Sequence, residues 1–368
     1  MKTCAAFAIA LAVAATAAGQ EFRGAITGRV NDKSGGVLPG VTVTATNVAT
    51  NVSSTTVTTG EGLFTIPYLT PGTYTVAAAK ANYATGSAEV ALDDDGEFVQ
   101  QDFALQTARA EVSPTALQVI APPNQTRTRA LTLSNTGGID LTWSITPSAP
   151  WVAANPSSGT VAPSGSQAVT VTVDTTGLSP GVYTATLAVQ SNSGRQPTTN
   201  MPVTLVVPAY YQAVNTGGSS YTDGNGDAWS PDQRYAAGSW GYTSTSTNVQ
   251  TTTQPIAGTT DDILYQNLRV DPVEYRFDGL PNGVYEVEVR FAELDKKKPN
   301  TRLFDVVAEG SLLLPAHDVS GEVGILTADQ HVFFVTVSDG QLNLRFVQRK
   351  GFQKPIVNAI LIRHRPDQ

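Results

Sequence analysis

Turn residues cut this chain into short, β-branched runs from one end to the other, and that punctuation constrains the fold more than any other feature. Between 22 and 106, the runs Ile26-Thr-Gly-Arg-Val30, Pro39-Gly-Val-Thr-Val-Thr-Ala45, Gly60-Glu-Gly-Leu-Phe-Thr-Ile66 and Pro71-Gly-Thr-Tyr-Thr-Val-Ala77 alternate apolar and polar residues with a period of two. Turn signals recur about every ten residues, the pattern of a small sandwich. The same idiom fills 110–207, with Val169-Thr-Val-Thr-Val173 and Gly181-Val-Tyr-Thr-Ala-Thr-Leu-Ala-Val189 as its clearest strands. It continues with longer loops through 209–368, where Val284 to Phe291, Val332 to Val337, Leu342 to Phe346 and Ile356 to Ile362 alternate or run apolar. In the first of these, Tyr285, Val287, Val289 and Phe291 should face a core, and Glu286, Glu288 and Arg290 the other side. A chain of 368 residues with 32 Gly and 22 Pro reads as two or three all-β domains. The segments share a device: Pro71-Gly-Thr-Tyr74, Pro180-Gly-Val-Tyr183 and Asn282-Gly-Val-Tyr285 each set a turn glycine before a Tyr-led strand. This is a sheet-corner solution, not evidence of duplication.

Charge and the N-terminus narrow the setting. The 23 Lys and Arg against 31 Asp and Glu give a formal net charge of −8, without the basic patch of a nucleic-acid binder. Met1-Lys2-Thr3, an apolar run from Cys4 to Ala15 and the small residues Ala17-Ala18-Gly19 form a secretory signal peptide over 1–19. The run is too short to span a membrane, and no other segment is long and apolar enough. Cys4 is the one cysteine, so the mature chain has no disulfide, thiol nucleophile or thiolate metal site. A secreted bacterial protein, extracellular or periplasmic, is expected.

Catalytic signals are few. Gly177-Leu-Ser179-Pro-Gly181 satisfies G-x-S-x-G, but that motif needs a strand-to-helix turn and here lies in a Pro-Gly hairpin. His317, His331 and His364 match no zinc spacing and are expected as surface or loop residues. Asp223-Gly-Asn225-Gly-Asp227 opens like a calcium loop and then departs from it, so a turn is favoured; Asp93-Asp-Asp95 is likewise read as a solvated turn. Glu293 and Asp295 are the only pair worth weighing for glycoside hydrolysis. No catalytic residue, metal ligand or cofactor is assigned. Trp143 and Trp151 are expected in a sandwich core.

Binding is easier to support. A sugar offers hydroxyls to planar polar side chains and a C–H face to an aromatic ring. Trp240, Tyr242, Tyr265 and Phe352 sit in or beside loops that carry Asp261, Asp295, Lys296 and Gln353. For Tyr265, inside Ile-Leu-Tyr-Gln, core packing is favoured; Trp240 and Tyr242 lie beside Gly and Ser, where a platform and a core cap are equally open.

Three resemblances follow from ordered motifs. The succession G-x-V, P-G-V-x-V, G-x-F-x-I and P-G-x-Y-x-V over 22–106 resembles the carboxypeptidase regulatory-like domain, a structural module of prealbumin-like type. Asn135-Thr-Gly-Gly138, Pro150-Trp-Val152 and Pro156-Ser-Ser-Gly159 within 110–207 resemble the Ig-like BACON domains that accompany carbohydrate-active proteins. Over 209–368, A-V-N-x-G-G from Ala213, Leu264-Tyr-Gln266, G-x-Y-x-V-x-V-x-F-A-E from Gly283, Leu303-Phe-Asp-Val306 and P-x-V-N-A-I from Pro355 resemble a malectin domain, a jelly roll with glucose-oligomer-binding members. In that family the ligand meets loops at one rim. Tyr242 is a counterpart of one contacting tyrosine, whereas Val270, Asp295, Lys296 and Gln353 stand where the animal member has Tyr, Tyr, Phe and Asp. The resemblance thus implies the fold and not the family's sugar specificity, and Lys296-Lys-Lys298 hints at an acidic sugar. The expected protein is an exported, non-catalytic binder of an oligosaccharide or polysaccharide, with Trp240, Tyr242, Tyr265, Asp295, Lys296, Phe352 and Gln353 as ligand-binding residues. The alternative is a structural or adhesive surface protein whose last domain contacts another protein.

Overall fold

The computed structural model describes residues 23–94, 96–295 and 298–368. The signal-peptide reading of 1–19, Asp95 and the Lys296 assignment fall outside them. Among the described residues, strands are separated by turns with only one short α-helix and one 3-10 turn, and they pair into three successive sandwiches, the last with a small third sheet of Val249–Thr251, Asn267–Val270 and Ile356–Val357. The first sets Leu63–Leu69, Gly24–Asp32 and Phe98–Gln100, with Phe103–Leu105 also on Gly24–Asp32, against Ser53–Val57, Thr42–Asn47, Gly72–Ala79 and Gly86–Leu92. The inward positions of the alternating runs, Ile26, Val43, Phe64, Tyr74 and Val76 among them, fill one core.

The second sandwich faces the sheet Leu117–Ile120, Thr198–Val207, Gly181–Ser191, Leu141–Pro147 and Ser158–Val161 with Val152–Asn155, Ser166–Asp174, Thr126–Asn135 and Ala110–Ser113. Trp143 lies in its core as expected, and a Cβ on Gly159 would stand 3.1 Å from the indole. Trp151 is only half-buried, edge-on to Tyr183. Asn135, of the N-T-G-G turn, accepts from Arg109 N and Gly137 N and donates to Ile139 O and Val161 O. A buried amide with all four capacities used holds that turn shut.

The third sandwich sets the sheet Tyr221–Thr222, Ala228–Pro231, Tyr211–Asn215, Ala359–His364, Gly283–Phe291 and Asp329–Val337 against Trp240–Tyr242, Glu274–Asp278, Gln341–Gln348, Phe304–Ala308 and Ser311–His317. Tyr285, Val287, Val289 and Phe291 point into its main core. The far side of the same strand differs from expectation. Glu286, Glu288 and Arg290 are buried too, because the segments around Trp229 and 256–265 cover that face and build a second core of Trp229, Ile256, Leu264, Tyr265 and Leu361. The charges survive burial by pairing, Glu288 with Arg290 and Glu286 with Arg363 and Arg365. Arg290 also lies 4.6 Å above the Trp229 ring. The expected strand 356–362 breaks at Asn358, a fully buried residue whose side chain bonds Tyr265 O, Asn267 O and Ala292 N. That explains the asparagine of P-x-V-N-A-I: it ties three segments together from inside.

Candidate functional site

Past the ends of Gly283–Phe291 and Gln341–Gln348 lies a rim built from 243–248, 271–273, 294–295, 298–303 and 349–355. Glu293, buried and bonded to Arg302 at 2.7 Å, anchors it; Arg302 in turn donates to Lys354 O, and Gln353 N to Thr301 O. The same pairing sets a guanidinium on the Glu293 carboxylate. Asp295 receives a hydrogen bond from Gln250 Nε2 at 3.2 Å. Gln353 is exposed and Phe352 half-buried beside it, while Lys354 pairs with Asp271 at 3.0 Å. Between the loops, the turn Asp271-Pro272-Val273 holds two non-glycine residues at positive φ, 55° and 60°. A β-branched residue there is a true outlier, and such strain gathers at functional surfaces. Its partners are Pro355 O for Asp271 N and, for Val273 O, the N–H of Phe346.

The structure thus brings Asp295, Phe352 and Gln353 to one rim, together with Gln250, Asp271, Val273 and Lys354, which sequence reading missed. The Asp-Pro pair was the only local signal for that last group, and it marks a turn, not a site. Trp240 and Tyr265 lie elsewhere, and Tyr242 is buried just beneath the rim loop 243–248. Trp240 pairs with Phe277, stacked at 6.4 Å and 14°, towards the turn 279–282 at the opposite end of the sheet. Tyr242 is buried beneath Arg269, whose guanidinium stands 3.6 Å from the ring centre. Arg269 forks onto Asp232, which also accepts from Tyr275 Oη at 2.9 Å; burial raises the Tyr275 phenol, so it stays a donor. Tyr265 belongs to the outer core, and burial pushes its phenol up to about 12. As placed, Tyr242 and Tyr265 are packing residues and Trp240 a half-buried one remote from the rim.

Other sequence signals resolve as turns. Asp223 accepts from Asn225 N, Asp227 N and Trp229 Nε1, so its oxygens serve the loop itself. Asp261 accepts from Tyr221 Oη and Gly224 N. Ser179 offers its carbonyl to Tyr183 Oη, a corner and not a nucleophile elbow. The histidines depart from expectation: His317 is completely buried and His331 half-buried, beside Asp329.

Comparison with known proteins agrees with the order of the sandwiches. Residues 25–106 match the carboxypeptidase regulatory-like domain, 109–201 the viral BACON domain and 210–363 the malectin domain. These are binding and Ig-like domain types, not catalytic ones. No curated protein matches the chain. Among solved structures, a Bacteroides uniformis β-glucuronidase is 21% identical over 70% of this chain, with a TM-score of 0.39. The match spans 30% of that enzyme's length. The extracellular domain of ANXUR2 from Arabidopsis thaliana is 12% identical, covering 66% of this chain and 84% of its own, with a TM-score of 0.36.

Proposed function

We propose that this chain is an exported, non-catalytic carbohydrate-binding protein that recognises a glycan through the rim loops of its malectin domain. The observation that carries the reading is a set of loops at one end of the sandwich in which Asp295 takes a hydrogen bond from Gln250, and the segment with Phe352 and Gln353 is tied to Thr301 and to the strained turn at Asp271 and Val273. Carboxylate and amides suit sugar hydroxyls, and the exposed flank of Phe352 suits a C–H face. The first two sandwiches serve as spacers. A glycan array probed with the full chain and with Asp295→Ala, Gln353→Ala and Phe352→Ala tests this. Selective binding that the rim variants weaken at least tenfold, while Trp240→Ala on the far side leaves it intact, supports the rim. Binding lost with Trp240→Ala alone places the sugar elsewhere.

One observation favours a protein partner instead. The strand Asp329–Val337 ends its sheet and turns Val332 and Phe334 to solvent, 46% and 52% exposed. An open edge with apolar side chains is a place for another chain to add a strand. A blank array from folded protein, with a binding partner released by Phe334→Lys, would favour that adhesive reading.

A further inference from the structure

The core of the third sandwich contains a polar cluster that neither reading uses. His317 closes the strand Ser311–His317 and is wholly buried between Phe291 and Phe304, whose ring centres lie 4.9 and 5.5 Å away. Across the sandwich, Asp329 and His331 stand two residues apart on one face of Asp329–Val337. His317 Nε2 lies 2.8 Å from Asp329 Oδ2, and His331 Nε2 lies 2.9 Å from Asp329 Oδ1. The two imidazoles meet at 85°, 5.0 Å between centres. Yet His317 Nε2, Asp329 Oδ2 and His331 Nε2 are all buried with no hydrogen-bond partner. The atoms converge while the N–H directions miss the oxygens.

Glu322, from the helix Val319–Glu322, lies 3.0 Å from His317 Nδ1. If it takes the Nδ1 proton, Nε2 is left as a lone pair facing a carboxylate at contact distance. That is repulsive unless a cation lies between them. A divalent ion with bonds of about 2.0–2.2 Å keeps its ligand atoms about 3 Å apart in an octahedral array and about 3.3–3.6 Å in a tetrahedral one, so the cluster needs to open by only about half an ångström to close on an ion. A carboxylate on the far nitrogen of a ligating histidine is the usual outer-shell support.

We propose that His317 Nε2, His331 Nε2 and the Asp329 carboxylate form a site for one divalent first-row metal ion of the zinc class, with Glu322 orienting His317. Two imidazoles and a carboxylate suit zinc and its neighbours, whereas calcium takes six or more oxygens. Glu322 is 48% and His331 23% exposed at the side chain, so an ion reaches the site and a fourth ligand, water or an outside donor, completes it. The ion clasps the edge strand of one sheet to the edge strand of the other. It also braces the rim from beneath: Asp318, next to His317, accepts from Asn300 N in the rim segment 298–303 and from Gly321 N. The site is independent of the carbohydrate reading.

The test uses the full chain without a histidine tag, stripped with chelator and titrated with Zn2+ and with Co2+ at neutral pH. One equivalent bound, visible Co2+ bands displaced by Zn2+, and a thermal midpoint raised by Zn2+ are expected. His331→Gln and Asp329→Asn should each weaken Zn2+ binding at least a hundredfold and abolish the midpoint shift, and Glu322→Gln about tenfold. His331 is half-buried, so His331→Gln keeps the fold if Asp329→Asn does not. Folded wild type that takes up neither metal overturns the site and leaves a proton-held His–Asp–His cluster. Variants that bind as wild type does overturn it as well.

Discussion

Tyr74, Tyr183 and Tyr285 each turn their hydroxyl back onto the carbonyl four residues earlier, Thr70, Ser179 and Pro281, at 2.7, 2.8 and 2.7 Å. The glycine two residues before each has φ of 147°, 158° and 152°, a region that L side chains rarely adopt. The recurrence seen in sequence is therefore a corner in which glycine sets the bend and tyrosine pins it. Tyr285→Phe should cost about 1 kcal/mol in urea unfolding. Gly283→Ala should cost more, since a Cβ there would also meet His364 Nε2 at 2.7 Å; an alanine as stable as wild type would mean that the corner is not strained. These corners were legible because everything they need is local. The rim was not: Gln250, Asp271 and Lys354 lie far apart in sequence and meet only through strand register. Nor was the environment of His317, whose neighbours come from three separate strands and a helix. Asp329-x-His331 did carry a trace, since two residues along a strand share a face.

At the scale of the element, the strand Gly283–Phe291 shows why period-two patterning fixes conformation without fixing environment. Its alternation was read correctly, yet both faces are covered, and Glu288 and Arg290 are each less than a tenth exposed. Alternation tells which residues lie together; it cannot tell that the upstream segments around Trp229 and 256–265 will lie over the charged face. The consequence is measurable. Arg290→Ala should destabilise the protein by about 3–5 kcal/mol, because it leaves Glu288 buried and unpaired. The double variant Glu288→Gln, Arg290→Met should recover most of that loss. If the single variant unfolds at the wild-type urea midpoint, the pair is not buried as described. Sheet edges follow the same logic. Val332 and Phe334 look in sequence like any other outward positions, and only the strand order shows that they flank an open edge.

Across the whole molecule, the middle sandwich reaches both neighbours with arginine. Arg195 holds the buried Asp32 of the first, and Arg127 holds Asp227 of the third at 3.0 Å. Gly194 sits so close to Tyr83 that a Cβ would lie 2.3 Å from its ring. Burial would raise the Asp32 carboxyl, but Ser34 and Arg195 bring it below its usual 3.8. Because the folded value is depressed, its stabilisation is present above about 3.8 and is lost as pH falls through the folded value. Small-angle scattering at falling pH should therefore show the first sandwich loosening in that acid window, and Arg195→Ala should loosen it already at neutral pH. An unchanged profile in the variant would remove Asp32 from the junction. The third sandwich is entered at Tyr211 and left at Arg363, which pair with each other, while Asn215 and Ala359 pair nearer the rim. The strand through which the middle sandwich leads into this one thus begins at one end of the sheet, and the rim loops occupy the other. Tension between the chain and anything gripped at the rim would run along the strands, loading their ladder hydrogen bonds sideways and all together rather than peeling them one by one.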